Sequence, residues 1–152
     1  MKKIILLLGM LMCCSCSVTY VPFEPQKKTV TINNPSVAFE TAIECASRAV
    51  RPPSTGQMFT YQSEKYNKFI MSFLMDAWSD FLYGTAVNVD GVMRYSTSQN
   101  GKEAIVEITD MRLCSGYSGC KNVVPKENMY RYKNASERVI KEVTQCILDN
   151  PH

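Results

Sequence analysis

The chain has 152 residues, with 17 basic and 14 acidic side chains, a formal charge of +3, 45% hydrophobic and 20% charged residues. That composition fits an ordinary globular domain and excludes a disordered or fibrous chain. Without Lys2 and Lys3 the charge falls to +1 (3 − 2), which excludes the electrostatic footprint of a nucleic-acid binder and a polybasic membrane patch.

The chain opens MKKIILLLGMLM, two lysines followed by a nine-residue apolar run from Ile4 to Met12. Such a run is too short for a membrane-spanning helix and suits the core of a signal peptide. Three cysteines follow at once, Cys13, Cys14 and Cys16. An apolar run ending in a small residue and then cysteine resembles the lipobox of bacterial lipoproteins. In that family the cysteine takes a diacylglyceryl group and the leader is cut just before it. Cys16, preceded by Ser15, is the expected lipidation site, with Cys14 as the alternative. Cys16 departs from the family pattern by carrying Cys13 where leucine is usual. The reading gives a signal peptide over 1–15, a tether over 16–28 with two prolines, and one domain over 29–152. The protein is then expected in the bacterial cell envelope, held by lipid and facing the periplasm or the cell surface. A metal site is a poor reading of the three cysteines, because zinc ligands come as separated pairs on a folded scaffold.

Residues 29–33, TVTIN, alternate as a strand. Asn34-Pro35-Ser36 signals a helix start, and residues 37–50 carry an apolar stripe of Val37, Phe39, Ala42, Ile43, Ala46 and Val50. The prolines after Arg51 end that helix. Residues 57–62 read as a strand. Residues 68–82, KFIMSFLMDAWSDFL, fit two patterns, and helical periodicity alone is the better of them. Strands at 92–98 and 103–113 form a hairpin, with Asn100-Gly101 predicted as a two-residue type I′ turn. A loop over 114–133 leads to an amphipathic helix at 136–150, with Asn134 or Ser136 as its cap.

Strand, helix, hairpins and final helix together resemble a domain of unknown function common in exported bacterial proteins, with a fold like the TATA-box-binding protein. The stretches NPSVAFETAIECASRAV, MFTYQSEKYNKFIMSF and VMRYSTSQNGKEAIVEITDMRL carry that resemblance. It implies an α+β fold, an antiparallel sheet of about four to five strands packed against an N-terminal and a C-terminal helix. It also tips residues 68–78 toward strand. It supplies no catalytic residues, and the fold's name implies nothing about DNA.

The four remaining cysteines allow three pairings. Cys114 and Cys120 enclose the flexible SGYSG, and Cys45 and Cys146 lie on the two predicted helices. The competing reading is buried free thiols. The only histidine, His152, is the last residue, which leaves no anchored base for a Ser–His or Cys–His site. Asp76 and Asp80 would be neighbours on one face of a helix, and separate if their segment is a strand. Tyr117, Tyr130, Arg131 and Tyr132 cluster late in the chain and are the candidate ligand contacts, with structural packing as the competing reading. No metal, no cofactor and no nucleic acid is expected. The expected function is a non-enzymatic binding or interaction module for an envelope protein, peptide or glycan. The alternatives are a histidine-independent hydrolase, built on carboxylates converging near Asp76, Asp80 or Asp110, and a purely structural envelope component.

Overall fold

A computed structural model describes residues 18–53, 56–80, 85–115 and 119–150. The leader, Cys14, Cys16 and Tyr117 lie outside the described residues. In chain order the elements are β1 (Tyr20–Val21), β2 (Gln26–Thr31), α1 (Pro35–Ala49), β3 (Phe59–Ser63), β4 (Lys68–Asp80), β5 (Thr85–Thr97), β6 (Glu103–Ser115), β7 (Gly119–Lys121), β8 (Val124–Pro125) and α2 (Met129–Asp149). The main sheet is antiparallel in the order β2-β6-β5-β4-β3, and the three-residue β7 pairs with β6. The fold is α+β with two helices on one face, as the family resemblance implies, and the main sheet has six strands where four to five are expected.

Residues 68–80 are a strand despite their helical periodicity. Phe69, Met71 and Phe73 point into the core and are almost wholly buried, while Ile70, Ser72 and Leu74 take the other face. Both faces carry apolar residues, so the period-2 signal is blurred and a helical stripe emerges from the overlap. On β6, Ala104, Val106, Ile108 and Met111 are fully buried. The three-residue step from Ile108 to Met111 marks a bulge: the β5–β6 register shifts where Val92 faces Asp110 and Met93 faces Ile108, leaving Thr109 as the extra residue.

Helix α1 starts where the sequence says it should. The Asn34 side chain accepts from the backbone N–H of Ser36 (3.1 Å) and of Val37 (3.4 Å), and Pro35 takes the first turn. Helix α2 starts seven residues earlier than predicted, so Asn134 and Ser136 are not caps. No proline or glycine interrupts 129–135, and Ser136 is buried and donates its hydroxyl to the Tyr132 carbonyl inside the helix (2.8 Å). Tyr132, Val139, Ile140, Val143 and Ile147 form the buried face. The two helices run antiparallel. Val37 and Ala38 line one hollow with Ile147 and Leu148 at one end, and Val50 and Arg51 line another with Arg138 and Val139 at the other. A disulfide joins Cys45 to Cys146 between those ends, with Cα atoms 5.9 Å apart. A second joins Cys114 to Cys120 across the β6–β7 pair.

Two other expectations need correction. The turn after β5 is not type I′. Among the described residues Gly101 has φ +67° but Asn100 is not in the left-handed region. Gly101 N–H donates to Ser98 O (2.9 Å), and the Asn100 side chain accepts from Lys102 N–H (3.0 Å) and the Ser98 hydroxyl (2.7 Å). Those side-chain bonds hold a longer loop, closed by the bond from Ser98 N–H to Glu103 O. The tether is also shorter than 16–28. Lys126 N–H donates to Thr19 O (2.8 Å), β1 pairs with β8, and Phe23 is buried. Burial of Phe23 and the β2–β6 hydrogen bonds draw this proline-containing stretch onto the domain.

Candidate ligand-binding groove

The site begins with a second bulge. The β4–β5 register runs Phe73 opposite Gly91 and Leu74 opposite Asp90, then jumps to Asp76 opposite Val89. Met75 is the extra residue. Without it, strict alternation would place Asp76 on the open face with Ile70 and Leu74. With it, Asp76 turns to the helix side, where α2 begins. Its carboxylate there meets Arg131 (Nη1 to Oδ2, 3.3 Å) and the Tyr132 hydroxyl, which donates at 3.5 Å, the long limit of a hydrogen bond. The other oxygen, Oδ1, accepts the N–H of Ala77 at 3.0 Å. The Asp76 side chain is 18% exposed and that of Arg131 is 68% exposed, so the pair sits at a rim with the carboxylate as its inner member. Burial, and then the negative charge of Asp76, push the Tyr132 phenol up to about 12, against a smaller opposing effect of Arg131.

Above this pair opens a groove of about 420 Å³, between the end of α1, β4 and α2. Phe73, Leu74, Met75 and Val139 supply apolar wall. Arg51, Arg131 and Arg138 supply three cations against the one carboxylate of Asp76, a local balance of +2 (3 − 1). An adjoining hollow of about 620 Å³ continues past Met75, Arg131 and Arg138 to Tyr130 and Asn134. Both volumes lie in the range of small-molecule sites. Tyr130 is 75% exposed and free to be covered by a ligand. Arg51 reaches the site because its backbone bridges Leu74, whose N–H donates to Arg51 O at 3.0 Å. Among the described residues neither Arg51 nor Arg138 forms an ion pair. A third hollow, about 140 Å³ at the opposite end of the helix pair, is lined by no charged side chain.

The predicted contacts therefore divide. Arg131 lines the groove and, with Tyr130, the adjoining hollow. Tyr132 is buried beneath it and acts on Asp76. Of the carboxylates of the hydrolase alternative, Asp110 does not join Asp76: it lies on the open face, opposite Val92, with Oδ1 accepting the N–H of Met111 at 2.9 Å. The backbone of Asp80 ends β4 opposite Thr85. Among the described residues no group of three His, Cys, Asp or Glu side chains is placed to hold a metal. Sequence reasoning missed Arg51 and Arg138. Arg138 stands seven residues after Arg131, two turns along one helix face, a signal visible only if α2 starts at Met129.

No protein-family model matches the chain, and no curated protein matches it. Solved structures do. A TBP-like protein from Parabacteroides distasonis ATCC 8503 superposes with a TM-score of 0.56 at 10% identity, over 84% of this chain and 94% of that one. The fold is TBP-like. A DUF4468 family protein from Bacteroides ovatus ATCC 8483 shares the TBP-like arrangement, with a TM-score of 0.54 at 9% identity over 81% of this chain and 85% of that one. At such identities the likeness is one of fold alone, so the function of this TBP-like chain must be argued from its own groove. Among the described residues no helix is long and apolar enough to cross a membrane. The two disulfides point to an oxidising, extracytoplasmic compartment.

Proposed function

We propose that the protein is a lipid-anchored module of the bacterial cell envelope, held through Cys16, that binds a ligand in the groove between β4 and α2 without transforming it. The observation that carries the binding role is the make-up of that groove. It has three arginines and one carboxylate, and the carboxylate is already engaged by Arg131 and the Tyr132 hydroxyl. General acid–base work needs groups with suitable pKa values at the reacting atoms. This set is suited to holding charge instead. The leader motif supports the anchor, as does the entry of the chain: Thr19 is already hydrogen-bonded to the domain, three residues past Cys16. Three residues span at most about 10 Å. A lipid on Cys16 would therefore hold the β1–β8 end, with exposed Val18 and Tyr20, close to the bilayer.

The binding role is tested with the mature chain made soluble by Cys16→Ser and titrated, in a two-dimensional NMR experiment, with an extract of envelope small molecules. The expected shifts concentrate at residues 51, 75–77 and 130–138. Shifts confined to the open face of the sheet, around Arg94 and Glu107, would contradict it.

A further inference from the structure

Arg51 and Arg138 stand on opposite walls of the groove, one following α1 and bridged to β4, the other on α2. Arg131, on the same helix face as Arg138, is about 10 Å along the axis from it. Arg131 is oriented by Asp76, while Arg51 and Arg138 form no ion pair among the described residues. A carboxylate offers two acceptor oxygens in one plane and a single charge. A tetrahedral phosphate accepts donors from several directions and carries more charge. Arginines lining the groove from two elements, with a further position along α2, suit the latter. The floor of Phe73, Leu74, Met75 and Val139 gives apolar contact to whatever carries the phosphates, and the Tyr130 ring flanks the exit.

We propose that the groove is a phosphate-binding site for a ligand with two or more phosphate groups. Arg51 and Arg138 are the primary contacts, and Arg131 is a further contact held in place by Asp76. The proposal rests on the groove being the binding site of the protein and names its ligand class. Two sources fit the same chemistry, a soluble or glycan-borne phosphate ester and a phospholipid headgroup. The charged side chains that line the groove sum to +2 in a mature chain of +1 overall, a local excess that favours an anionic ligand.

The test is titration of the mature Cys16→Ser chain with tripolyphosphate, citrate, the neutral oligosaccharide maltotetraose and phosphatidylglycerol vesicles, followed by NMR shifts and calorimetry. Tripolyphosphate is expected to perturb the groove residues, to bind more tightly than citrate, and to weaken as salt rises. Arg51→Ala with Arg138→Ala should lower its affinity by about tenfold or more, the loss expected on removing two charge-assisted contacts. Lys121→Ala with Lys126→Ala, outside the groove, should leave it unchanged. Both pairs of substitutions are on exposed residues, and a far-ultraviolet spectrum and melting curve confirm that each variant folds. Vesicle binding that the arginine variant abolishes identifies a lipid headgroup as the source; tripolyphosphate binding without vesicle binding identifies a soluble or glycan ester. Citrate binding as tightly as tripolyphosphate, or affinity indifferent to the arginine variant, overturns the phosphate proposal. Groove shifts with maltotetraose alone overturn it while leaving the binding module standing. Shifts only outside the groove overturn both.

Discussion

Replacing Cys45 and Cys146 together by alanine should cost far more stability than the same change at Cys114 and Cys120. The first bridge joins residues 101 apart and the second joins residues six apart. Loop-closure entropy for these lengths gives about 4.7 kcal/mol for the long loop and about 2.2 kcal/mol for the short one. The unfolding entropy of a domain of this size converts these to a melting temperature about 17 °C lower for the long-loop variant and about 8 °C lower for the other. Cys45 is buried between α1 and α2, so its truncation adds a small packing loss in the same direction. Double replacement avoids stray thiols. Urea unfolding of the two variants and the parent, with calorimetry alongside, measures the difference directly. Equal losses, or a long-loop loss below about 2 kcal/mol, would refute the reasoning. The bridge also bears on function, because it fixes the antiparallel helix pair whose far end presents Arg51 and Arg138.

Gly91 faces Phe73 across β4 and β5, and a β-carbon there would lie 2.5 Å from Phe73 Cζ. Since that ring is 1% exposed and has nowhere to go, Gly91→Ala should destabilise by about 1–3 kcal/mol in denaturant unfolding; a gain from better strand propensity would contradict this. Alkali should destabilise the protein through its buried phenols. Tyr132 is pushed up to about 12 by burial, and Tyr95, whose hydroxyl has no hydrogen-bond partner among the described residues, is raised for the same reason. The neutral phenol is favoured in the folded state, so this stability is complete below the ordinary tyrosine value of about 10 and is lost as pH rises toward 12. Unfolding midpoints from pH 8 upward, with phenolate absorbance, should fall accordingly. Tyr132→Phe should blunt the fall, and a flat profile would contradict the reading.

Much of the architecture was legible because it depends on local signals. Asn34-Pro35 caps α1, the alternation in 103–113 places Ala104, Val106 and Ile108 in the core, and the spacing of four cysteines on two predicted helices and one loop anticipates both disulfides. The strand at 68–80 was legible only through a family resemblance, since its own residues are apolar on both faces. The start of α2 was misplaced because Asn134 and Ser136 look like caps, and nothing local reveals that Ser136 is buried and bonds back to Tyr132. The groove was legible only in part. Tyr130 and Arg131 stand out as a cluster, but the turning of Asp76 toward them depends on which residue of β5 faces which residue of β4. Register is a property of the pair of strands, not of either sequence.

The anchor is the part of the proposed function most directly open to measurement. The intact mass of the chain extracted from bacterial membranes should equal a polypeptide beginning at Cys16 plus a diacylglyceryl group and its fatty acids, and Cys16→Ser should release the protein from the membrane fraction. An unmodified chain, or one beginning at a residue other than cysteine, would contradict it.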